Sequence, residues 1–406
     1  MGSMSAFPTP LDMGSAQGSL SQLAEELDLD EVELRRWAKG GLLVKISQSS
    51  PSIYDFPNFR RFFPSREVVD STAPRVVSFF SGCGGLDIGF RDAGFELGFA
   101  NDFFLDACLS YSQNVGSIDP RPIQDIDISE TGPANVLLAG FPCQPFSNAG
   151  SRRGVSDPRG TLFWETLKFI ESLRPEIVVF ENVRGLLSMK NPDGNRLIDA
   201  IEGEVQERGY RVVHQLINTS DFGVPQNRFR VIIVGIRDDL GVGPFDFGLI
   251  ERSPAKKLGD ILGKPVPEHD PNDEHWKLSP QAIDLVRHIP EGGSWKNVPY
   301  EHLPSRLRRI RDNMQRYHSP NFFRRFARDE VMGTVTAAAT PENSGILHPT
   351  EPRRYTVREV ARFQTFPDSY VFSGKSIAAK YKQIGNAVPP EFARRLAAAL
   401  RAHTGI

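Results

Sequence analysis

Val136-Leu137-Leu138-Ala139 is a short apolar run without alternation, and it stops at Gly140-Phe141-Pro142-Cys143-Gln144-Pro145-Phe146-Ser147. A run of this kind fits a strand buried on both faces, and strands buried on both faces belong to sheets covered by helices on each side. The pattern recurs at Val76-Val77-Ser78-Phe79-Phe80, Phe95 to Ala100, Ile177-Val178-Val179-Phe180 and Val231-Ile232-Ile233-Val234, with helical spacing between. Strand and helix in alternation constrain the chain to an α/β fold, whose chemistry sits where strands end and loops begin. Cys143 is at such a point. Pro142 and Pro145 fix φ on either side of it and remove backbone donors, which suits rigid presentation of one side chain. Taken alone, Cys143 also reads as one more small buried hydrophobe.

A chain of 406 residues has room for two or three domains, and 39% apolar residues can fill their cores. The net charge of −2 does not announce a nucleic-acid partner, so any basic surface must be local. Three cysteines, Cys83, Cys108 and Cys143, with no CxxC spacing, indicate neither a disulfide framework nor structural zinc. A reducing, cytoplasmic setting and no metal centre are expected. No apolar run approaches the roughly 18 residues of a spanning helix, and no signal pattern opens the chain, so no membrane partner is expected.

Met1-Gly2-Ser3 ahead of Met4 reads as an added remnant, and residues 4–18 as small, polar and disordered, so that 1–18 form a tail. Over 19–47, Ser19 caps a helix bearing Leu20, Leu23, Ala24 and Leu27. A turn at Asp28-Leu29-Asp30 then leads to a second helix through Val32, Leu34 and Trp37 to Gly40-Gly41. That is the outline of a helix-turn-helix module, and the mixed charge of the second helix suits packing as well as DNA contact. Residues 48–74 read as a linker.

The first buried run ends in Ser81-Gly82-Cys83-Gly84-Gly85, and a helix starts at Leu86. Glycines there let backbone N–H groups approach a ligand. The spacing is not GxGxxG and no Lys-Ser/Thr follows, which excludes a dinucleotide fingerprint and a phosphate loop. Asp102, after the second run, stands where an acid binds ribose hydroxyls, with Phe103 beside it to face an adenine. An adenosine-bearing cofactor without a pyrophosphate fits, while a glycine turn plus a helix-capping Asp is the plain alternative. Glu181-Asn182-Val183 follows the Ile177 strand, and a carboxylate there is costly unless solvated or used. Gln226-Asn227-Arg228-Phe229-Arg230 enters the last run, and alternation puts Arg228 and Arg230 on one face, toward an anion, a polarised carbonyl or an edge salt bridge.

Between 238 and 345 the alternation fails. Arg306, Arg308, Arg309, Arg311, Arg316, Arg324, Arg325 and Arg328 crowd there with Trp295, Tyr300, Tyr317, Phe322, Phe323 and Phe326. Cations neutralise phosphate and rings stack on bases, although a solvated helix face has the same composition. From 346 a helical pattern returns, closing with Gln383-Ile384-Gly385-Asn386-Ala387-Val388-Pro389-Pro390 and a helix over Phe392 to Leu400.

In this order, Phe80 to Gly85, Gly140 to Ser147, Glu181-Asn182-Val183, Gln226 to Arg230 and Gly385 to Pro389 resemble the DNA cytosine-5 methyltransferase family of bacterial restriction-modification type, over residues 75–402. The resemblance implies an S-adenosylmethionine-dependent, Rossmann-like doubly wound sheet (75–237 with a return at 346–406), a small target-recognition domain (238–345) and, ahead of both, the helical module. It implies Cys143 as the nucleophile that adds to cytosine C6, because C5 is too weak a nucleophile on its own. Glu181, if it carries or shares a proton with N3, neutralises the ring and holds the exocyclic amine. Arg228 is similar to the family's arginine near the cytosine O2, with Arg230 beside it. The base that removes the C5 proton is not identified.

Cofactor contacts implied by position are Phe80, Gly82, Gly85 and Leu86 at the first turn, Asp102 and Phe103, Asp125-Ile126 at the adenine edge, and Pro142, Leu162, Asn386 and Val388. Asp127 lies two residues on from Asp125 and can replace it. Many relatives carry tryptophan at Phe103. A duplex base must be flipped out to reach the thiol. Gln144, Ser147, Arg152 and Arg153 on a glycine-hinged loop, and Arg306, Arg309, Arg324, Arg325 and Thr334 in the recognition block, are the expected DNA contacts. The expected partner is double-stranded DNA, met by a monomer on the nucleoid, with a cognate restriction endonuclease acting separately. A tRNA cytosine-5 methyltransferase, or a DNA-binding regulator with an idle catalytic domain, are the alternatives.

Overall fold

A computed structural model describes residues 15–27, 29–47, 50–57, 62, 72–142, 161–191, 194–313, 321–338, 340 and 345–406. The described residues open with β1 (Ser15–Gly18), α1 (Leu20–Leu27), α2 (Glu31–Gly40), β2 (Val44–Lys45) and β3 (Tyr54–Pro57). Asp30 caps α2 by accepting from the Val32 N–H at 2.8 Å, and Gly41 ends it at φ 89°, a left-handed turn that glycine takes without strain. Residues 15–18, expected within a disordered tail, instead pair antiparallel with β3, from Ser15 opposite Pro57 to Gly18 opposite Tyr54. β3 itself falls in the stretch expected as a linker. Both segments are short and lack alternation, so pairing alone defines them as strands.

The catalytic part follows as β4 (Arg75–Phe79), α3 (Gly85–Asp92), β5 (Glu96–Asn101), α4 (Leu105–Asn114), α5 (Ile128–Thr131), β6 (Val136–Ala139), α6 (Thr161–Leu173), β7 (Ile177–Val183), α7 (Leu197–Gln206), β8 (Tyr210–Asn218) and β9 (Phe229–Arg237). Its six strands lie in the order β5-β4-β6-β7-β9-β8. β5, β4, β6 and β7 are parallel, and β9 runs against both β7 and β8. The chain leaves β4 toward β5 on one side and β6 lies on the other, which makes the carboxyl end of β4 a switch point where α/β sheets open a crevice.

Period-two burial gives the sheet two apolar faces. Val76, Val136, Leu138 and Val179 pack on one face with Phe90 of α3, while Val77, Leu137, Val178 and Phe180 pack on the other with Phe163 and Leu167 of α6 and Ile198 and Ile201 of α7. The first face is completed from the far end of the chain. After α8 (Leu258–Leu262), α9 (Pro280–Arg287), α10 (Ser305–Asp312), α11 (Val357–Phe363) and α12 (Ile377–Asn386), helix α13 (Pro390–Thr404) sets Phe392, Leu396 and Leu400 into it. Full burial of each such side chain is worth about 1.5–3 kcal/mol. The approach of α13 to α3 needs Gly89, where a Cβ would stand 2.3 Å from that of Ala393.

The region between β9 and α11 divides its loyalties. Phe245, Phe247 and Ile250 join the sheet cluster, and Leu258 and Ile261 pack with Val357 and Val360 of α11. A separate cluster runs from Leu278 to Leu347 around Trp295, Val298, Phe322 and Phe323. Among the described residues no helix is long and apolar enough to cross a membrane.

Candidate active site

β5, β4 and β6 end level, and β7 runs on past them: Phe79 pairs with Ala139 and with Asn101 of β5, and Ala139 with Phe180. The next residues along each strand, Phe80, Gly140, Glu181 and Asp102, therefore meet at one edge. They line a single cleft of about 1160 Å³. That is room for a nucleoside cofactor and a base together.

On the β4–β5 side the glycine turn is held open by an acid. Asp102 Oδ2 accepts the Gly82 N–H at 2.8 Å, and Oδ1 accepts the Phe104 N–H at 2.6 Å. Burial raises the Asp102 carboxyl above its ordinary range, opposed by those two donors. Each oxygen keeps a lone pair for a further donor, such as a ribose hydroxyl. Gly82 has φ 57° and a Cβ there would meet nothing within 4 Å, so open space lies against its backbone. At Gly85 a Cβ would fall 2.2 Å from the Val388 carbonyl oxygen, which brings the fifth motif against the first. Phe103 is 55% exposed, unusual for a phenylalanine and fitting for a ring that faces a ligand. Leu86, Pro142, Leu162, Asn386 and Val388 line the same space. An adenosine cofactor fits this donor set and these walls.

Two of the expected cofactor residues lie elsewhere. Pro122, Ile123 and Gln124 line the cleft where Asp125 and Ile126 were placed by resemblance. A tight turn over Ile123–Asp125 leaves Asp125 exposed and sends Ile126 into the core with Phe99. Asp87 is among the lining residues that the sequence argument missed. Asp87, fully buried near the start of α3, accepts from Ser78 Oγ and Tyr111 Oη at 2.8 Å each, and burial pushes its carboxyl up to about 6. Its only signal was an acid just inside a helix, which ordinarily means a dipole partner.

On the β7–β9 side, the reversed direction of β9 brings its first residues to the edge where the parallel strands finish. Val183 lies opposite Arg230 and Glu181 opposite Ile232, so Glu181 and Arg230 are diagonal neighbours on one face. Arg230 Nε is 2.8 Å from Glu181 Oε1, with the two side chains only 14% and 12% exposed. The N–H is not aimed at that oxygen, and Oε1 is left without a hydrogen bond among the described residues. An orphaned buried acceptor beside a cation suits a ligand that brings its own donor.

Arg228 does not share this face, against the expectation from alternation. Pairing in β9 begins at Phe229, and the Arg228 carbonyl accepts the Thr219 N–H in the preceding turn. Its guanidinium is fully buried and donates to the carbonyls of Val335 at 3.1 Å, Gly385 at 2.9 Å and Asn386 at 3.3 Å. Burial holds it well below the usual arginine range. The period of two does not extend into a turn, so the arginine at the carboxylate is Arg230.

Gly140 stands between the two sides, its Cβ position 3.6 Å from the Phe80 carbonyl oxygen and 3.9 Å from Glu181 Oε2. The next residue, Phe141, is held in place. Asn182 Nδ2 donates to the Phe141 carbonyl at 3.1 Å, and the Phe141 ring lies 5.3 Å from Phe163 and 5.4 Å from Phe180. Cys143, Gln144, Ser147, Arg152 and Arg153 lie outside the described residues. The other two cysteines are buried, and burial raises both thiols far above their ordinary value. Neither can serve as a thiolate nucleophile.

The expected DNA contacts separate by what their side chains bind. Arg306 and Arg309 on α10 are exposed. Arg325 is 5% exposed and donates to the carbonyls of Ile289 and Glu351, while Arg324 pairs with Glu330 at 2.6 Å and binds the Gly292 carbonyl. These two hold the recognition segment together, because a fold with few strands and helices needs other partners for its backbone carbonyls. Thr334 Oγ1 donates to the Asn227 carbonyl at 2.6 Å, tying that segment to the β9 turn.

Sheet order, switch-point cleft and glycine turn are those of a Rossmann-like S-adenosylmethionine-dependent methyltransferase. The profile of C-5 cytosine-specific DNA methylases matches residues 74–402. Type II methyltransferase M.NgoFVII of Neisseria gonorrhoeae is 36% identical over 338 residues, 79% of this chain and 84% of that one. M.Eco47II of Escherichia coli is 31% identical and covers 93% of this chain and 94% of its own. A crystal structure of a putative DNA modification methyltransferase encoded within an Escherichia coli prophage superposes with a TM-score of 0.57 at 19% identity, covering 82% of this chain and all (100%) of that one. Spodoptera frugiperda DNMT2 gives 0.55 at 18%, covering 81% and 99%. At such identity these two speak for the fold alone. The chain belongs to the C-5 cytosine-specific DNA methylase family and is a DNA cytosine-5 methyltransferase.

Proposed function

We infer that the enzyme methylates C5 of a cytosine flipped out of duplex DNA, through a covalent bond between Cys143 and C6. The observation that carries this is the Glu181–Arg230 pair beside Gly140, which Cys143 follows by three positions in the sequence. Burial of Cys83 and Cys108 leaves Cys143 to act as nucleophile. When bound, S-adenosylmethionine supplies an electrophilic methyl group on sulfonium. The thiolate adds at C6, and the electron pair of the C5–C6 double bond shifts to C5. Glu181 holds N3 and the exocyclic amine, and Arg230 takes the place near O2 that the resemblance gave to Arg228. After methyl transfer a base removes the C5 proton, the double bond reforms and the thiolate leaves.

The substrate on this reading is duplex DNA, held by the exposed Arg306 and Arg309, and the resemblance adds Gln144, Ser147, Arg152 and Arg153 as contacts. The names of the Type II relatives support a restriction-modification setting. On this reading the enzyme is a monomer acting on cytoplasmic, nucleoid DNA, and an endonuclease acts separately. Purified protein with duplex DNA containing 5-fluorocytosine and S-adenosylmethionine should form a covalent adduct that survives denaturation, and Cys143→Ser should form none and transfer no label. Undiminished transfer by Cys143→Ser would remove the mechanism.

A further inference from the structure

Helix α2 of the N-terminal module ends over the cofactor side of the cleft. Arg36 and Gly40 line it, although the family match starts only at residue 74. The Arg36 guanidinium lies over the Phe103 ring, 3.9 Å from its centroid. Nη1 donates to the Phe103 carbonyl at 3.1 Å, Nη2 to the Pro120 carbonyl at 2.6 Å and Nε to the Glu33 carboxylate at 2.8 Å. One cation therefore covers a face of the ring and grips the backbone that carries it. Phe103 as a residue is still 55% exposed.

The module is seated closely enough for this contact to be defined. Leu34, Trp37, Leu42 and Phe56 share a core with Cys108, Tyr111 and Ile118 of the catalytic part. A Cβ on Gly40 would lie 2.0 Å from Leu105 Cδ1, and Lys375 donates to the Lys39 carbonyl. The other arginine of α2, Arg35, pairs with Glu31 on its own helix. A helix that meets phosphate presents several cations outward, whereas of the three on α2 Arg36 is spent inward, Arg35 is neutralised and Lys39 is exposed.

We propose that the N-terminal module is a wall of the cofactor site, in which Arg36 is a positioning residue that fixes Phe103 for the adenine. This rests on the reading that the cleft binds S-adenosylmethionine at its β4–β5 side. A phenyl ring on a loop loses rotational freedom when a ligand stacks on it, and a guanidinium already stacked on the opposite face removes that cost in advance. The bond to the Phe103 carbonyl steadies the residue next to Asp102, whose carboxylate holds the Gly82 turn.

The test uses the full chain. Binding of S-adenosylhomocysteine is titrated by calorimetry for the wild type, Arg36→Ala, Arg36→Lys and Glu33→Gln, and steady-state constants are taken for both substrates. Arg36→Ala should weaken cofactor binding and raise KM for S-adenosylmethionine by about threefold to thirtyfold, leaving kcat and KM for DNA within about twofold. Arg36→Lys should fall between, because an ammonium does not stack as a plane. In a Phe103→Leu background, Arg36→Ala should add no further loss. Wild-type affinity in Arg36→Ala, an equal loss with and without the Phe103 ring, or a rise confined to KM for DNA would each overturn the proposal. Should Arg36→Ala melt at a lower temperature than wild type, Arg36→Lys and Glu33→Gln carry the comparison. Failure of the wild type itself to bind S-adenosylhomocysteine would strike the cofactor reading, and the wild-type titration tells that result from the others.

Discussion

Arg230 Nε stands 2.8 Å from Glu181 Oε1 across two strands that run in opposite directions, β7 ending where β9 begins. The geometry places a cation and a carboxylate together at the one sheet edge where the parallel strands deliver their loops. On the proposed mechanism, removing Arg230 takes away a charge that faces the reacting base, while the carboxylate stays. Arg230→Ala should lower kcat by about a hundredfold to a thousandfold with the fold intact. Single-turnover methyl transfer checks this, and a loss seen only in KM would contradict it.

Arg228, two residues earlier, should behave in the opposite way. Its guanidinium satisfies three buried carbonyls, so Arg228→Ala leaves them without donors and opens a cavity. Stability should fall by about 3–5 kcal/mol, read from urea unfolding.

Asp87 makes stability depend on pH. Its carboxyl is raised by burial to about 6, so between the ordinary carboxylate range and that value the folded state holds more protons than the unfolded one. The contribution is complete in acid and is lost as pH rises through about 6, at most about 3 kcal/mol. The difference in unfolding free energy between wild type and Asp87→Asn should therefore change between pH 4 and 6 and level off above. A constant difference across that window would refute the assignment.

Gly85→Ala should damage the cofactor site from behind. The added methyl meets the Val388 carbonyl oxygen at 2.2 Å, a backbone atom that cannot step aside. S-adenosylhomocysteine binding should weaken by at least about tenfold and the melting temperature should drop, because overpacking forces backbone shifts.

Arg306 and Arg309 face solvent on α10. Replacing either by Ala should reduce the slope of log K for DNA against log salt by about one, without loss of stability. Arg325→Ala, which strips donors from the Ile289 and Glu351 carbonyls, should instead lower stability.

The parallel strands β4, β6 and β7 were legible because they are buried on both faces and read as unbroken apolar runs, and the glycine turn and Asp102-Phe103 followed from where those runs stop. Pairing defeated the finer assignments. Whether Arg228 or Arg230 meets Glu181 depends on ladder hydrogen bonds starting at Phe229, which no side-chain pattern records. The shift from Asp125 to Ile123 depends on a single tight turn. Arg36 and Phe103 are separated by 67 positions, and nothing in either neighbourhood names the other. β1 is a short strand whose partner is distant in sequence, so only its register with β3 makes it one.

The last long helix, α13, completes a core begun by the first strand of the sheet, and Asn386 and Val388 just before it border the cleft. During synthesis the glycine turn, the acid and the strand ends therefore emerge long before they enclose anything. Ability to methylate should switch on late and abruptly on the ribosome, only once α13 has emerged, so that truncated products carry the signature motifs but leave the genome unmarked.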